Sequence, residues 1–190
     1  MRRVIFVVGP PGAGKTAFCD ELIRLFNSSE FPPARFSDGD TLRQMREEKE
    51  RGTDCNAILL NDADRKDLYR RLAERVINED DALALVEMSP NDPAMAFQFY
   101  SQDILKRSLL IQMASTLQQC LHRNKLRAEQ NPDTFNAFIP EEYVARFFPR
   151  YARKLRTVDA GRRVIVRNNR AGIGTLAAKA AKLFEEITRA

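Results

Sequence analysis

Gly9-Pro10-Pro11-Gly12-Ala13-Gly14-Lys15-Thr16 lies near the start of a 190-residue chain and decides how the rest is read. The stretch matches GxxxxGK[ST] at every specified position. Its glycines let backbone N–H groups turn inward around phosphate oxygens, and the helix that follows adds the positive end of its dipole. Lys15 is placed to reach β- and γ-phosphates, and the Thr16 hydroxyl is a hard ligand suited to Mg2+. On the N-terminal side, Arg3 to Val8 is a nearly all-apolar, mostly β-branched run, as a strand buried on both faces should be. On the other side, Lys15 to Phe26 carries Phe18, Leu22, Ile23 and Phe26 on one side of a helix.

The same alternation continues outward. Pro32-Pro33 precedes a short strand at about Ala34 to Ser37, and a polar helix is expected from Thr41 to about Lys49. Residues 50–61 read as loop. Asn61 or Asp62 can cap a helix in which Leu68, Leu72 and Val76 recur every four residues. Ala82 to Met88 reads as the third strand, Pro93 suits the first turn of a helix, and Leu109 to Met113 reads as the fourth strand. A helix from about Thr116 to Gln130 leads into a loop at Asn131 to Ile139, and Pro140-Glu141-Glu142 opens another helix. A fifth strand at Arg163 to Arg167 and an Ala-rich amphipathic helix at Thr175 to Ile187 follow. The expected architecture is therefore α/β, with a five-stranded parallel sheet and helices on both faces. With no repeat or long linker, residues 1–190 read as a single domain.

Composition narrows the class further. The chain is 44% hydrophobic and 30% charged, enough for a core and too apolar for general disorder. Its longest apolar runs, such as Val4 to Val8 and Ala82 to Val86, fall far short of the ~20 residues of a membrane span. Met1-Arg2-Arg3 looks like the charged start of a leader, but the apolar run after it is shorter than the ~7–15 residues of a leader core. Cys19, Cys55 and Cys120 are far apart and His122 is the only histidine, so neither a disulfide scaffold nor a zinc site is expected. A cytoplasmic, reducing location fits, and no membrane partner is expected. The net charge of +5 is uneven: residues 121–170 hold 12 basic and 5 acidic side chains, a local net of +7. Something anionic is expected to meet that segment, unless it is merely a solvated helix surface.

Asp38-Gly39-Asp40-Thr41-Leu42-Arg43 follows the second strand, at the sheet edge where the cradle also opens. Moving a phosphoryl group onto a hydroxyl needs a carboxylate to orient that hydroxyl and take its proton, with cations to hold developing charge. Asp40 and Arg43, three apart at a helix start, can point to the same side. The plainer alternative is that Asp38 or Asp40 caps the helix. Glu87 ends an otherwise apolar strand, where a carboxylate can position hydrated Mg2+ or bind an acceptor. Asn124-Lys125-Leu126-Arg127 has Arg where a guanine-reading Asn-Lys-x-Asp motif would have Asp.

The cradle and the DGDxxR hexapeptide resemble the small P-loop kinases, a group that includes adenylyl-sulfate kinases, polynucleotide 5′-kinases, gluconate kinases and, more distantly, adenylate kinases. The hexapeptide is most similar to that of adenylyl-sulfate kinases, while Asp40-x-x-Arg43 also fits the polynucleotide kinase pattern. The resemblance implies a three-layer P-loop kinase fold with a small lid, and ATP and Mg2+ as cofactors. It places Gly9, Pro11, Gly12, Ala13, Gly14, Lys15 and Thr16 around ATP, with Thr16 on the metal and Glu87 reaching it through water. It makes Lys15, Asp40, Arg43 and Arg127 the catalytic set and puts Asp38, Asp40, Arg43 and Glu87 at the acceptor. Arg123 and Arg127 resemble the RxxxR of adenylate-kinase-like enzymes, the first covering the adenine and the second reaching the phosphates from a lid near 123–145. The Arg those kinases often place before Pro-Glu is replaced here by Asn136-Ala137-Phe138-Ile139. Arg167-Asn168-Asn169-Arg170-Ala171-Gly172 falls where such kinases contact adenine, which nominates Asn169.

The segment opened by Glu141 carries Arg146, Arg150, Arg153, Lys154 and Arg156 among Tyr143, Phe147, Phe148 and Tyr151. Read as one helix, its cations form a continuous stripe able to follow a phosphodiester backbone, with aromatics to stack on bases. Read more plainly, the aromatics are its core face. The function expected is ATP-dependent phosphoryl transfer to a hydroxyl, favouring a nucleotide or nucleic acid: a DNA or RNA 5′-hydroxyl, or a hydroxymethylated pyrimidine in DNA. A small-metabolite acceptor is the first alternative, and a nucleotide-dependent switch without an acceptor is the second.

Overall fold

The computed structural model describes residues 3–27, 32–49, 61–79, 83–130, 139–148, 151–168 and 173–188. Residues 131–138 of the loop expected at 131–139 and residues 50–60 of the loop expected at 50–61, together with Arg150, Asn169 and Arg170, lie outside them. Five strands form the sheet: β1 (Arg3–Val8), β2 (Ala34–Ser37), β3 (Leu83–Met88), β4 (Leu109–Ala114) and β5 (Arg162–Arg167). They lie in the order β2-β3-β1-β4-β5, and every neighbouring pair is parallel. This is the five-stranded parallel sheet expected from the alternation of elements.

Alternate residues of the central strand enter two separate cores. Val4, Phe6 and Val8 face α3 (Asp62–Asn78), α4 (Pro93–Phe97), α5 (Gln102–Lys106) and α8 (Tyr151–Leu155), where the Phe6 ring meets Phe97 and Tyr100 edge-on at 5.0 and 4.9 Å. Ile5 and Val7 face α1 (Lys15–Phe26), α6 (Leu117–Gln130) and α9 (Ile173–Thr188), with Phe26 edge-on to Phe184 at 4.8 Å. β1 is thus buried on both faces, as its unbroken apolar run requires.

Three local departures from the sequence reading have physical causes. First, α2 (Asp38–Lys49) begins at Asp38 rather than Thr41. The Ser37 hydroxyl accepts the Asp40 amide proton at 3.0 Å and donates to Asp40 Oδ2 at 2.7 Å, so serine, not aspartate, caps this helix. Second, Ser101 caps the unforeseen α5, accepting from the Ile104 amide at 3.3 Å; a five-residue helix is too short to show periodicity. Third, the basic segment is two short helices, α7 (Glu141–Arg146) and α8, rather than one. Pro149 between them has no amide hydrogen to donate and disfavours helix in the residue before it. Phe147 and Tyr151 are buried, so these aromatics are core, and Arg146 and Arg153 do not share one helix.

Candidate functional site

The candidate site is built where β1 and β3 end side by side, with Val8 opposite Met88 and Val7 opposite Glu87. The chain leaves β1 through Gly9 and turns back at Gly12 and Gly14, both at positive φ (78° and 88°), before α1 starts at Lys15. A side chain at Gly12 would also lie 2.4 Å from the Cys120 carbonyl oxygen and 2.8 Å from its Cα, because α6 packs directly under the turn. Gly12→Ala is therefore expected to lower stability by about 2–4 kcal/mol, adding left-handed strain to the clash. A fall in the urea midpoint at unchanged slope measures it; an unchanged midpoint would show that α6 yields freely.

Two side chains missed as structural partners brace the turn from behind. Asn168, just past β5, donates from Nδ2 to the Ala13 carbonyl at 2.9 Å, and a Cβ on Gly14 would come within 2.4 Å of that nitrogen. Arg123 donates to the Gly12 carbonyl at 3.3 Å, to Ser115 Oγ at 3.4 Å, and to the Asn168 carbonyl and Oδ1 at 3.2 and 3.3 Å. Its guanidinium is thus lodged against the cradle backbone. Asn124, on the same helix, is buried and donates to the Ile139 carbonyl at 2.6 Å, which ties α6 to the residue two before Glu141.

At the mouth, the charged groups converge. Lys15 is buried and donates to the Pro10 carbonyl at 3.1 Å. Burial lowers its pKa, while the charges of Glu87 and Asp38 pull it back up and Arg127 lowers it further. The Thr16 hydroxyl donates to Glu87 Oε1 at 2.6 Å, and Arg35 holds the other carboxylate oxygen at 2.8 Å. Arg127 is half-buried, with basicity lowered by desolvation and opposed by the Glu87 charge.

The two aspartates of the DGDxxR stretch occupy different environments. Asp40 pairs with Arg43 at 2.8 Å, and both side chains are about half exposed. Asp38 turns inward, where its Oδ2 accepts the Ser89 amide proton at 2.5 Å. Desolvation pushes its carboxyl up to about 6, against the pull of Lys15 and the Ser89 amide, and Glu87 adds a further upward push. The described residues contain no cluster of three or more His, Cys, Asp or Glu side chains able to hold a metal ion. Hard oxygens capable of meeting Mg2+ are instead those of Thr16 and Glu87.

Fold and site together define a P-loop kinase-like α/β chain. A family model described as an AAA domain matches residues 8–136, and the chain belongs to that family. No curated protein matches the sequence. Among solved structures, Kti12 of Chaetomium thermophilum in complex with ADP-AlF3 is similar over 98% of each chain, with a TM-score of 0.65 at 16% identity. Shikimate kinase from Acinetobacter baumannii in complex with shikimate covers 98% of this chain and 94% of its own, at TM-score 0.61 and 18% identity. The Mycobacterium tuberculosis APS kinase in complex with AMPPNP and APS covers 97% and 98%, at TM-score 0.57 and 16% identity. At these identities the likeness shows the fold. Among the described residues, no helix is long and apolar enough to cross a membrane.

Proposed function

We propose that this chain is an ATP-dependent kinase that transfers the γ-phosphoryl group to a hydroxyl, with a nucleotide or nucleic acid as the favoured acceptor. The observation that carries the reading is the half-buried, inward-turned Asp38 carboxyl within electrostatic reach of Lys15. A nucleotide switch has no need of a proton acceptor there. In this reading the cradle from Gly9 to Thr16 holds the phosphates, Lys15 and Arg127 bear the charge of the transferring group, and Asp40 with Arg43 orients the acceptor. Asp38 takes the proton: desolvation raises its basicity, while the Asp40 carboxyl is engaged by Arg43 and Ser37 and is left to orient the acceptor. Thr16 and Glu87 would hold Mg2+, which supplies charge neutralisation between the phosphates. Arg123 and the nominated Asn169 serve the adenine side, and 123–145 forms the lid of a single catalytic unit. The buried, unpaired thiols of Cys19 and Cys120 accord with a cytoplasmic protein.

Support for a polyanionic acceptor comes from where the cations emerge. Arg146, Arg153, Lys154 and Arg156 are exposed, and Lys154 reaches Asp92, the cap of α4, at 3.9 Å. Asp92 lies three residues beyond Ser89, whose amide meets Asp38, so Lys154 is tied to the turn that leaves the acceptor side. The burial of Phe147 and Tyr151 favours the small-metabolite alternative, because it removes two of the four aromatics on which bases would stack. Incubation with radiolabelled ATP and a panel of oligonucleotides, nucleosides and adenylyl sulfate decides between them by showing which becomes labelled. If nucleic acid is the acceptor, affinity falls steeply with salt, and Arg153→Ala reduces the log–log slope by about one. A slope unchanged by that substitution would take the α8 patch out of the interface.

A further inference from the structure

We propose that Arg35 is a positioning residue of the nucleotide site: it fixes the Glu87 carboxylate and cancels its charge, so that the cradle accepts a polyanion even before a metal arrives. The proposal rests on the reading that the cradle binds adenine nucleotides. Arg35 lies on β2, opposite Leu85 in the β2–β3 register, two residues before the position that faces Glu87. Its guanidinium bridges two elements, with Nη2 on Glu87 Oε2 at 2.8 Å and Nη1 on Asp20 Oδ1 of α1 at 2.5 Å. Glu87 then has each oxygen engaged, one by Arg35 and one by the Thr16 hydroxyl at 2.6 Å.

Two consequences follow from that chain of contacts. Because Thr16 donates its proton to Glu87, the hydroxyl lone pairs are turned away from the carboxylate and left for a cation beside the phosphates. Because the Glu87 side chain is only 10% exposed, its charge is weakly screened by solvent and needs a partner within the protein. Lys15 and Arg127 also lie within reach of the Glu87 charge, but Lys15 donates across the cradle to Pro10, and in the proposed reading both belong to the phosphates. Without Arg35, Glu87 would lose its direct ion-pair partner, and its charge would stand one side chain away from bound phosphates and repel them. Added Mg2+ would offset that repulsion, so the loss should be greatest in metal-free binding.

Calorimetric titration of ADP, with EDTA and separately with excess Mg2+, tests the proposal on the whole chain. Arg35→Met is expected to weaken metal-free ADP binding about tenfold and Mg2+-ADP binding by less than about threefold. Adding Glu87→Gln to Arg35→Met should restore the metal-free affinity to within about threefold of the parent chain, since a neutral pair then replaces the charged one. Arg35→Lys keeps the charge and should stay within about threefold, which preserves the test if Arg35→Met fails to fold. Asp20→Asn breaks only the contact to α1 and should leave metal-free binding unchanged. Equal losses in both conditions, no loss in either, no recovery in the double variant, or the same loss in Asp20→Asn would each overturn the role of Arg35. An unaltered chain that binds no ADP under either condition would instead overturn the nucleotide reading beneath it.

Discussion

Lys15→Ala is expected to lower phosphoryl transfer by about a thousandfold or more while leaving the fold intact. The ammonium group is the charge nearest the cradle's centre, and it is buried, so no water can stand in for it. Its removal also strips Asp38 and Glu87 of a shared cation, since both carboxylates act on Lys15 electrostatically. Asp38 should then titrate even higher, which compounds the loss at neutral pH. Rate assays with the acceptor identified by labelling give the size of the effect, and far-UV circular dichroism checks the fold. Activity within about tenfold of the parent chain would remove Lys15 from the catalytic set.

How much of this was legible in the sequence depended on whether a residue acts through its neighbours in the chain or through the sheet. The cradle is local: Gly12, Gly14, Lys15 and Thr16 are adjacent, so their pattern survives in one dimension. Asp40 and Arg43 are three apart on a helix, and their contact follows from helical geometry alone. Arg35 carries no such signal, because its partner Glu87 lies 52 residues away and is reached only through the β2–β3 register. Asn168 meets Ala13 from 155 residues away, and nothing in the residues around it distinguishes it from its neighbour Asn169. The basic segment misled for a related reason. Its net charge is a sum along the chain, whereas Arg123 is lodged against the cradle, Arg163 donates to the carbonyls of Leu155 and Val158, and Pro149 separates Arg146 from Arg153. Charge density along a sequence does not become a surface until burial has removed the cations that the fold itself uses.

Asp38→Asn is expected to make the protein more stable and nearly inactive, with transfer reduced about 10²- to 10⁴-fold. The stability effect follows from the direction of the Asp38 shift. The carboxyl titrates at about 6 in the folded chain against an ordinary value of 3.8, so between those values the native state holds a proton that the unfolded chain has released. Stability must therefore fall as pH rises through that window, and above it the ionised group burdens the fold by up to about 3 kcal/mol. Asparagine keeps an oxygen for the Ser89 amide without the partly desolvated charge, so urea unfolding at pH 8 should show a gain of about 1–3 kcal/mol. At pH 4 the two proteins should converge. Glu21 and Asp67, held low by Arg24 and Arg70, contribute the opposite slope, but they are common to both chains and cancel in the difference. In the parent chain the transfer rate should rise with pH through about 6 as Asp38 loses its proton, and the residual rate of the variant should lack that rise. A variant that transfers normally would return the proton-accepting role to Asp40. One that loses activity without gaining stability would show that the Asp38 charge is satisfied in place, and that its raised pKa is no reserve of strain kept for the reaction.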